Sequence, residues 1–257
     1  MSRSKVERKK KMIGILREKK MVHLSELSEL LAVSEMTTRR YAGEMEDQLS
    51  LMGSHVIYRV DGEEGNAQKY LINQEAVRNP NKKSRLGAGA AAMIEEGDVV
   101  FIDAGTTTPF LAEHIPDDLK FTAVCCSLNV FLILNQKKNC RLILTGGRFH
   151  EGTQIFSGRP ALDIIRSIRI TKAFISTAGI SEKLGLTCFY SYETDLKKEV
   201  MKYSQHVYLV ADSTKFDRVT FAYFADVNQA HSVIIDDGIT PDQEAWLTDA
   251  GVEVIKA

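Results

Sequence analysis

Apolar positions recur along this chain at two spacings, and the change from one to the other divides it. In residues 4–19, Val6, Met12, Ile13 and Leu16 form a stripe at helical spacing with lysines on the other faces, which predicts an amphipathic helix. After a break at 19–22, Ser25 is placed to cap a second helix carrying Leu27, Leu30 and Leu31. Beyond the turn Ala32-Val33, Ser34 is placed to cap a third helix running to about residue 48. In that helix Thr38, Ala42 and Met45 fall at i, i+4 and i+7 and are expected to face a core, a thin apolar set with a threonine in it. Glu35, Thr37, Arg39, Arg40 and Tyr41 are then left outward. Two short helices around a tight turn have the spacing of a helix-turn-helix. Apolar segments at 49–52 and 56–60 around Gly53-Ser54-His55 predict a hairpin, the wing of a winged helix, with His55 at its tip. Residues 61–69 are polar and bear glycines, which marks a linker.

From about residue 82 the pattern becomes alternating helix and strand. Helices are predicted at 82–95, 108–114, 128–136, 159–168, 194–204 and 242–250. Strands are predicted at 98–102, 121–126, 141–144, 172–176, 206–210, 233–235 and 252–255. Such alternation argues for an α/β, Rossmann-like domain, a mostly parallel sheet with helices on both faces. The expected organisation is a winged helix-turn-helix over 1–60, a linker over 61–81 and the α/β domain over 82–257.

Open parallel sheets bind ligands beyond the carboxyl ends of their strands, so the residues that follow the strands define a candidate site. They are Asp103 with Gly105, Thr106, Thr107 and Thr108, then Ser127 with Asn129, Gly146 and Gly147, Gly179, and Lys215. Glu193, at the start of a predicted helix, adds a carboxylate. Lysine and backbone N–H groups suit a phosphate, carboxylates suit sugar hydroxyls, and the threonines can also cap the following helix.

Charge sharpens the division. Residues 1–41 hold eleven Lys or Arg against five Asp or Glu, whereas the remainder holds 22 against 29. A basic module on an acidic body suggests that only the former meets a polyanion. An exposed Thr37-x-Arg39-Arg40 set suits the major groove, with Ser34 and the helix start near phosphate. Cys125, Cys126, Cys140 and Cys188 lack metal or redox spacing and read as structural thiols. No stretch is apolar enough to span a membrane and no secretory signal is seen, so a cytoplasmic protein with neither cofactor nor metal is expected.

Val33-Ser34-Glu35-Met36-Thr37-Thr38-Arg39-Arg40 resembles the V-S-x-x-T-I-R-R recognition helix of the DeoR family of bacterial transcriptional repressors. Asp103-Ala104-Gly105-Thr106-Thr107, Thr145-Gly146-Gly147 and Asp212-Ser213-Thr214-Lys215-Phe216 resemble that family's D-x-G-T-T, x-G-G and D-x-S-K-F motifs. The resemblance spans essentially the whole chain. It implies a ribose-phosphate-isomerase-like sensor domain that binds a phosphorylated sugar, with deoxyribose 5-phosphate favoured, and thereby weakens operator binding. The family's Arg-Arg-Asp-Leu is Arg39-Arg40-Tyr41-Ala42 here, and Ser176-Thr177-Ala178-Gly179 lacks a Gly-x-Asp common elsewhere in the family. A homo-oligomer is expected, because operators for helix-turn-helix proteins are commonly two-fold. Two readings compete with a repressor. One is a sugar-phosphate isomerase with an appended DNA-binding module, using Asp103 and Glu193 as acid–base groups. The other is a constitutive DNA-binder whose α/β half only oligomerises.

Overall fold

The computed structural model describes residues 3–19, 21–45, 48–52, 54–58 and 80–257. Gly53 of the expected wing turn, the strand end at 59–60 and residues 61–79 of the expected linker lie outside them; residues 80–81 of that linker already belong to a helix, and His55, expected at the wing tip, opens a strand. The chain divides into two compact units, Met1–Pro80 and Asn81–Ala257.

In the first unit α1 (Arg3–Lys19) precedes a short strand β1 (Met21–His23), α2 (Leu24–Leu31), α3 (Glu35–Gly43) and the strands β2 (Leu49–Met52) and β3 (His55–Tyr58). The strands form an antiparallel sheet in the order β1-β3-β2. Met12 and Leu16 of α1 are fully buried with Leu24, Leu27, Tyr41 and Leu49, whereas Val6 stands exposed, because this core reaches only the second half of the helix. Two expectations change here. Leu24 is buried and starts α2 directly from β1, so the cap falls on His23, whose ring accepts from the Ser25 amide at 3.3 Å; Ser25 sits inside the helix and Leu30 is exposed. The third helix ends at Gly43 instead of near 48, where Glu44 is gripped by Lys5 (2.8 Å) and Lys9 (2.7 Å) of α1.

In the second unit the helices are α4 (Pro80–Ala91), α5 (Thr108–His114), α6 (Leu128–Leu134), α7 (Arg159–Ser167), α8 (Ser191–Lys202) and α9 (Pro241–Asp249). Seven strands, β4 (Val99–Ile102), β5 (Phe121–Cys125), β6 (Cys140–Leu144), β9 (Ile170–Ser176), β12 (Ser204–Val210), β14 (Ser232–Ile235) and β15 (Glu253–Lys256), form one sheet in the order β15-β14-β12-β9-β4-β5-β6. Every pairing in it is parallel. Strands buried on both faces read as apolar runs, and β4 shows why. Its Val100 and Ile102 join the core under α4, α5 and α6, and its Phe101 joins the core under α7, α8 and α9.

Two features were not legible from periodicity. A hairpin of β7 (Arg148–His150) and β8 (Ile155–Ser157) follows β6, and a small antiparallel sheet of β10 (Gly179–Ser181), β11 (Gly185–Cys188) and β13 (Ala222–Ala225) lies apart from the main one. Strands of three and four residues are too short to show alternation.

Candidate functional site

In the first unit the helix-turn-helix is held by polar contacts as much as apolar ones. Ser34 caps α3 by accepting from the Thr37 amide at 3.3 Å. The buried Thr38 is satisfied, with its hydroxyl 2.8 Å from that of Ser28 in α2 and 3.3 Å from the carbonyl of Ser34. Thr38, Ala42 and Met45 face the core as expected. Tyr41 does not face outward. It sits three residues beyond Thr38 on the same helical arc, is buried, and therefore cannot reach DNA directly. The Arg40 guanidinium lies 5.9 Å from the centre of its ring, so Tyr41 supports that arginine from below. Ser34 and Arg40 are exposed, and Thr37 and Arg39 are partly exposed. Met36, 72% exposed in the first turn of α3, joins this face and was missed, because a methionine reads as core. His55, the first residue of β3, packs edge-on against His23 at 5.0 Å. Burial and that neighbour hold its pKa below the ordinary histidine value.

In the second unit the strand order reverses between β4 and β9, with β5 and β6 to one side and β12, β14 and β15 to the other. Ligands in such sheets bind at this switch point, and Asp103 stands on it. Its amide donates to the Phe174 carbonyl of β9 at 3.1 Å. Its carboxylate accepts from the Ser176 amide (2.9 Å), and the Ser176 hydroxyl lies 3.0 Å away. The fourth partner is Lys197 of α8, fully buried, whose ammonium donates to the Asp103 carboxylate and to the Ser176 carbonyl (2.9 Å) and lies 5.2 Å from the Phe224 ring centre. Burial pulls the Lys197 pKa down, but the Asp103 and Glu193 carboxyls outweigh it and hold the ammonium above its ordinary range. Glu193, one turn before Lys197, is pushed up to about 7 by burial, with Lys197 opposing and Asp103 adding to the rise.

Lys197 is not among the site residues expected from the sequence. The available signal was its place beside Leu196 and four residues after Glu193, on the arc that Val200 continues.

Along the same edge, the hydroxyls of Thr108, Ser127 and Thr145 are buried without a hydrogen-bond partner. They follow β4, β5 and β6 in turn. A buried hydroxyl left unpaired costs about 1–3 kcal/mol, so three on one edge make it a candidate place for a polar guest. The amides of Gly105, Thr106 and Thr107 find no acceptor among the described residues. The threonine-cap expectation is not met, since Thr107 stands at the N-cap of α5 without a side-chain cap bond. Gly146 (φ +67°) and Gly147 (φ +108°) make the turn after β6, and a Cβ on Gly147 would lie 2.3 Å from the Ser157 carbonyl oxygen. Gly147 thus lets the β7–β8 hairpin fold back, where Phe156 donates to Cys126 at 2.7 Å.

The remaining predicted residues lie on this edge with local duties. Asn129 accepts from the Val130 amide at 2.9 Å. A Cβ on Gly179 would lie 2.2 Å from the Arg218 carbonyl oxygen, so this glycine serves close packing. Lys215 is buried at the end of a short 3₁₀ turn (Ser213–Lys215) that Asp212 caps through the Thr214 amide at 3.0 Å. Cys125 and Cys188 are free buried thiols, both pushed up to about 12 by burial. Among the described residues no His, Cys, Asp and Glu group is arranged to hold a metal, and no helix is long and apolar enough to cross a membrane.

The raised pKa of Glu193 has a consequence for stability. The unfolded carboxyl titrates near 4.5 and the folded one near 7, so the folded state holds the extra proton between them. Stability is therefore expected to fall as pH rises from 5 to 7. Thermal unfolding of the wild type and Glu193→Gln across that range checks it: the variant should lack this component, and parallel curves would contradict it.

Two family models match the chain. That of the DeoR C terminal sensor domain covers residues 78–237, and that of the DeoR-like helix-turn-helix domain covers residues 8–52. The chain is 34% identical over 236 residues to the deoxyribose operon repressor of Escherichia coli (strain K12), covering 92% of each. It is 29% identical over 249 residues to the HTH-type transcriptional regulator GlpR of Haloferax volcanii, covering 97% of this chain and 96% of that one. Among solved structures, ribose 5 phosphate isomerase A from Neisseria gonorrhoeae overlaps 54% of this chain and 53% of its own, at 16% identity and a TM-score of 0.38.

Proposed function

The chain belongs to the DeoR family of transcriptional regulators, and from that premise we propose an effector-controlled repressor that binds operator DNA through α3 and is released from it by a phosphorylated sugar. That relatives are named transcriptional regulators supports a sensing role for the sheet edge, with Asp103 and Glu193 as binding groups.

Ser34, Thr37, Arg39 and Arg40 form the DNA-facing side, with Met36 beside them and Tyr41 beneath. At the other end of the chain, the effector occupies the edge around the β4–β9 switch. The single observation that carries this reading is the buried Asp103–Lys197 pair with unpaired hydroxyls beside it. Asp103 and Lys197 neutralise each other, and Lys215 with the loop amides supplies the groups that suit a phosphate at an edge rich in hydroxyls. In this reading the amides of Gly105, Thr106 and Thr107 with Thr108, Gly146 and Lys215 meet the phosphate, and Asp103, Glu193 and Asn129 orient the sugar. Deoxyribose 5-phosphate is the favoured effector, supported by the likeness to the deoxyribose operon repressor.

Thermal unfolding with added sugar phosphates tests the sensing half. At about a hundred times its dissociation constant the effector should add roughly 2.7 kcal/mol to stability. An unchanged midpoint with every pentose and deoxypentose phosphate would remove the sensor.

A further inference from the structure

The first half of α1 carries charge where the second half carries core. Among residues 3–11, Arg3, Lys5, Arg8, Lys9, Lys10 and Lys11 stand against Glu7 alone. Apolar burial along this face begins at Met12 and continues at Leu16. Positions 5, 9, 12 and 16 share one side of the helix, so two ammoniums extend the line along which the core stripe would run on. Like charges four residues apart repel each other, and the first turn of α1 holds no acidic residue to offset them.

The group that faces these lysines comes from the end of α3. Glu44 lies 2.8 Å from Lys5 and 2.7 Å from Lys9, and the two ammoniums hold its carboxyl down to about 2. Glu44 is therefore ionised throughout the neutral range. It follows Arg40 by four residues and Thr37 by seven, which sets it on their side of α3. One carboxylate against two ammoniums leaves a net positive charge one turn beyond Arg40. Arg8 and Lys10 add to that charge and make no ion pair among the described residues.

We propose that Lys5 and Lys9 bind the phosphate backbone of the duplex alongside α3, so that α1 serves as a second DNA-contacting element. The clamp rests on the reading of α3 as the DNA-facing helix. A lysine has three donors, so each ammonium can keep Glu44 and still meet a phosphate oxygen. Contacts of this kind fix position on the duplex and carry no sequence information. Glu44 has two effects here: it holds the two lysine stems on this side of α3, and its charge competes with phosphate.

Fluorescence anisotropy of the full chain tests the clamp, on the upstream duplex and on a scrambled duplex of equal length. Each lost phosphate contact lowers the slope of log affinity against log salt by about 0.9, so Lys5→Gln with Lys9→Gln should lower it by about 1.8. Between about 50 and about 200 mM salt the loss of affinity should then be about tenfold smaller than in the wild type, equally on both duplexes. Lys5→Arg with Lys9→Arg should restore the wild-type slope. Glu44→Gln should tighten binding to both duplexes severalfold, because the competing carboxylate is gone. If the lysines only tie α1 to α3, Glu44→Gln and the double glutamine variant should instead lose affinity and melting temperature together at an unchanged slope. That result would overturn the clamp. Should the double variant not fold, the direction of the Glu44→Gln effect decides. A wild type that binds neither duplex would remove the operator reading as well, whereas an unchanged slope with wild-type binding intact removes the clamp alone.

Discussion

Changing Arg39 and Arg40 together to alanine is expected to remove operator binding at physiological salt. Each guanidinium that reads a base edge contributes about 1–3 kcal/mol, so the pair accounts for roughly thirtyfold to more than ten-thousandfold in affinity. The effect should be large because α3 is presented rigidly: Ser34 caps it, Thr38 is bonded to Ser28 of α2, and Tyr41 lies beneath Arg40. Fluorescence anisotropy with a duplex from upstream of the gene measures it. The slope of log affinity against log salt separates two roles. An arginine on phosphate should lower the slope by about 1 when removed, whereas one on a base should relax sequence preference. A folded double variant that keeps wild-type affinity would sink the assignment of α3. Tyr41→Ala should also weaken binding, but by loosening the core, and its loss should appear in the melting temperature.

Lys197→Met is expected to have the largest effect on the fold. Lys197 and Asp103 are both buried, and removing the ammonium leaves a carboxylate in largely apolar surroundings, satisfied by Ser176 and by the weak thiol donor of Cys126 at 3.8 Å. Breaking a buried pair from one side costs about 3–5 kcal/mol, a large share of a domain's stability. Asp103→Asn combined with Lys197→Met removes both charges and should recover much of that loss. Urea unfolding of the two single variants and the double variant reports the coupling. A Lys197→Met midpoint indistinguishable from wild type, or strict additivity in the double variant, would show that the pair is not coupled as the geometry requires.

The parallel sheet was legible because its central strands carry apolar runs, such as Val99–Ile102 and Phe121–Cys125, with helical segments between them. Ser34 was legible for a local reason, a hydroxyl placed before a helix. Tyr41 was misplaced because its side chain has a polar tip, although 38, 41, 42 and 45 together make one helical face. In this chain the bulk at that point of the core comes from Tyr41, with the small Ala42 beside it. Lys197 was hidden by a sound rule, that a lysine on a helix is normally solvated. Only the juxtaposition of α8 with the ends of β4 and β9 makes it a buried partner. The same holds for Ser176, Thr145 and the β10–β11–β13 sheet, which exist as features through contacts distant in sequence.

The central claim is that a phosphorylated sugar bound at the edge around Asp103 and Lys197 is read out at Arg39 and Arg40. Its most direct test is the anisotropy of a labelled upstream duplex, saturated with this protein, as deoxyribose 5-phosphate is added. The account predicts that the signal falls to that of free DNA as the effector saturates. Anisotropy that stays constant through saturating effector, with DNA still bound, would contradict it.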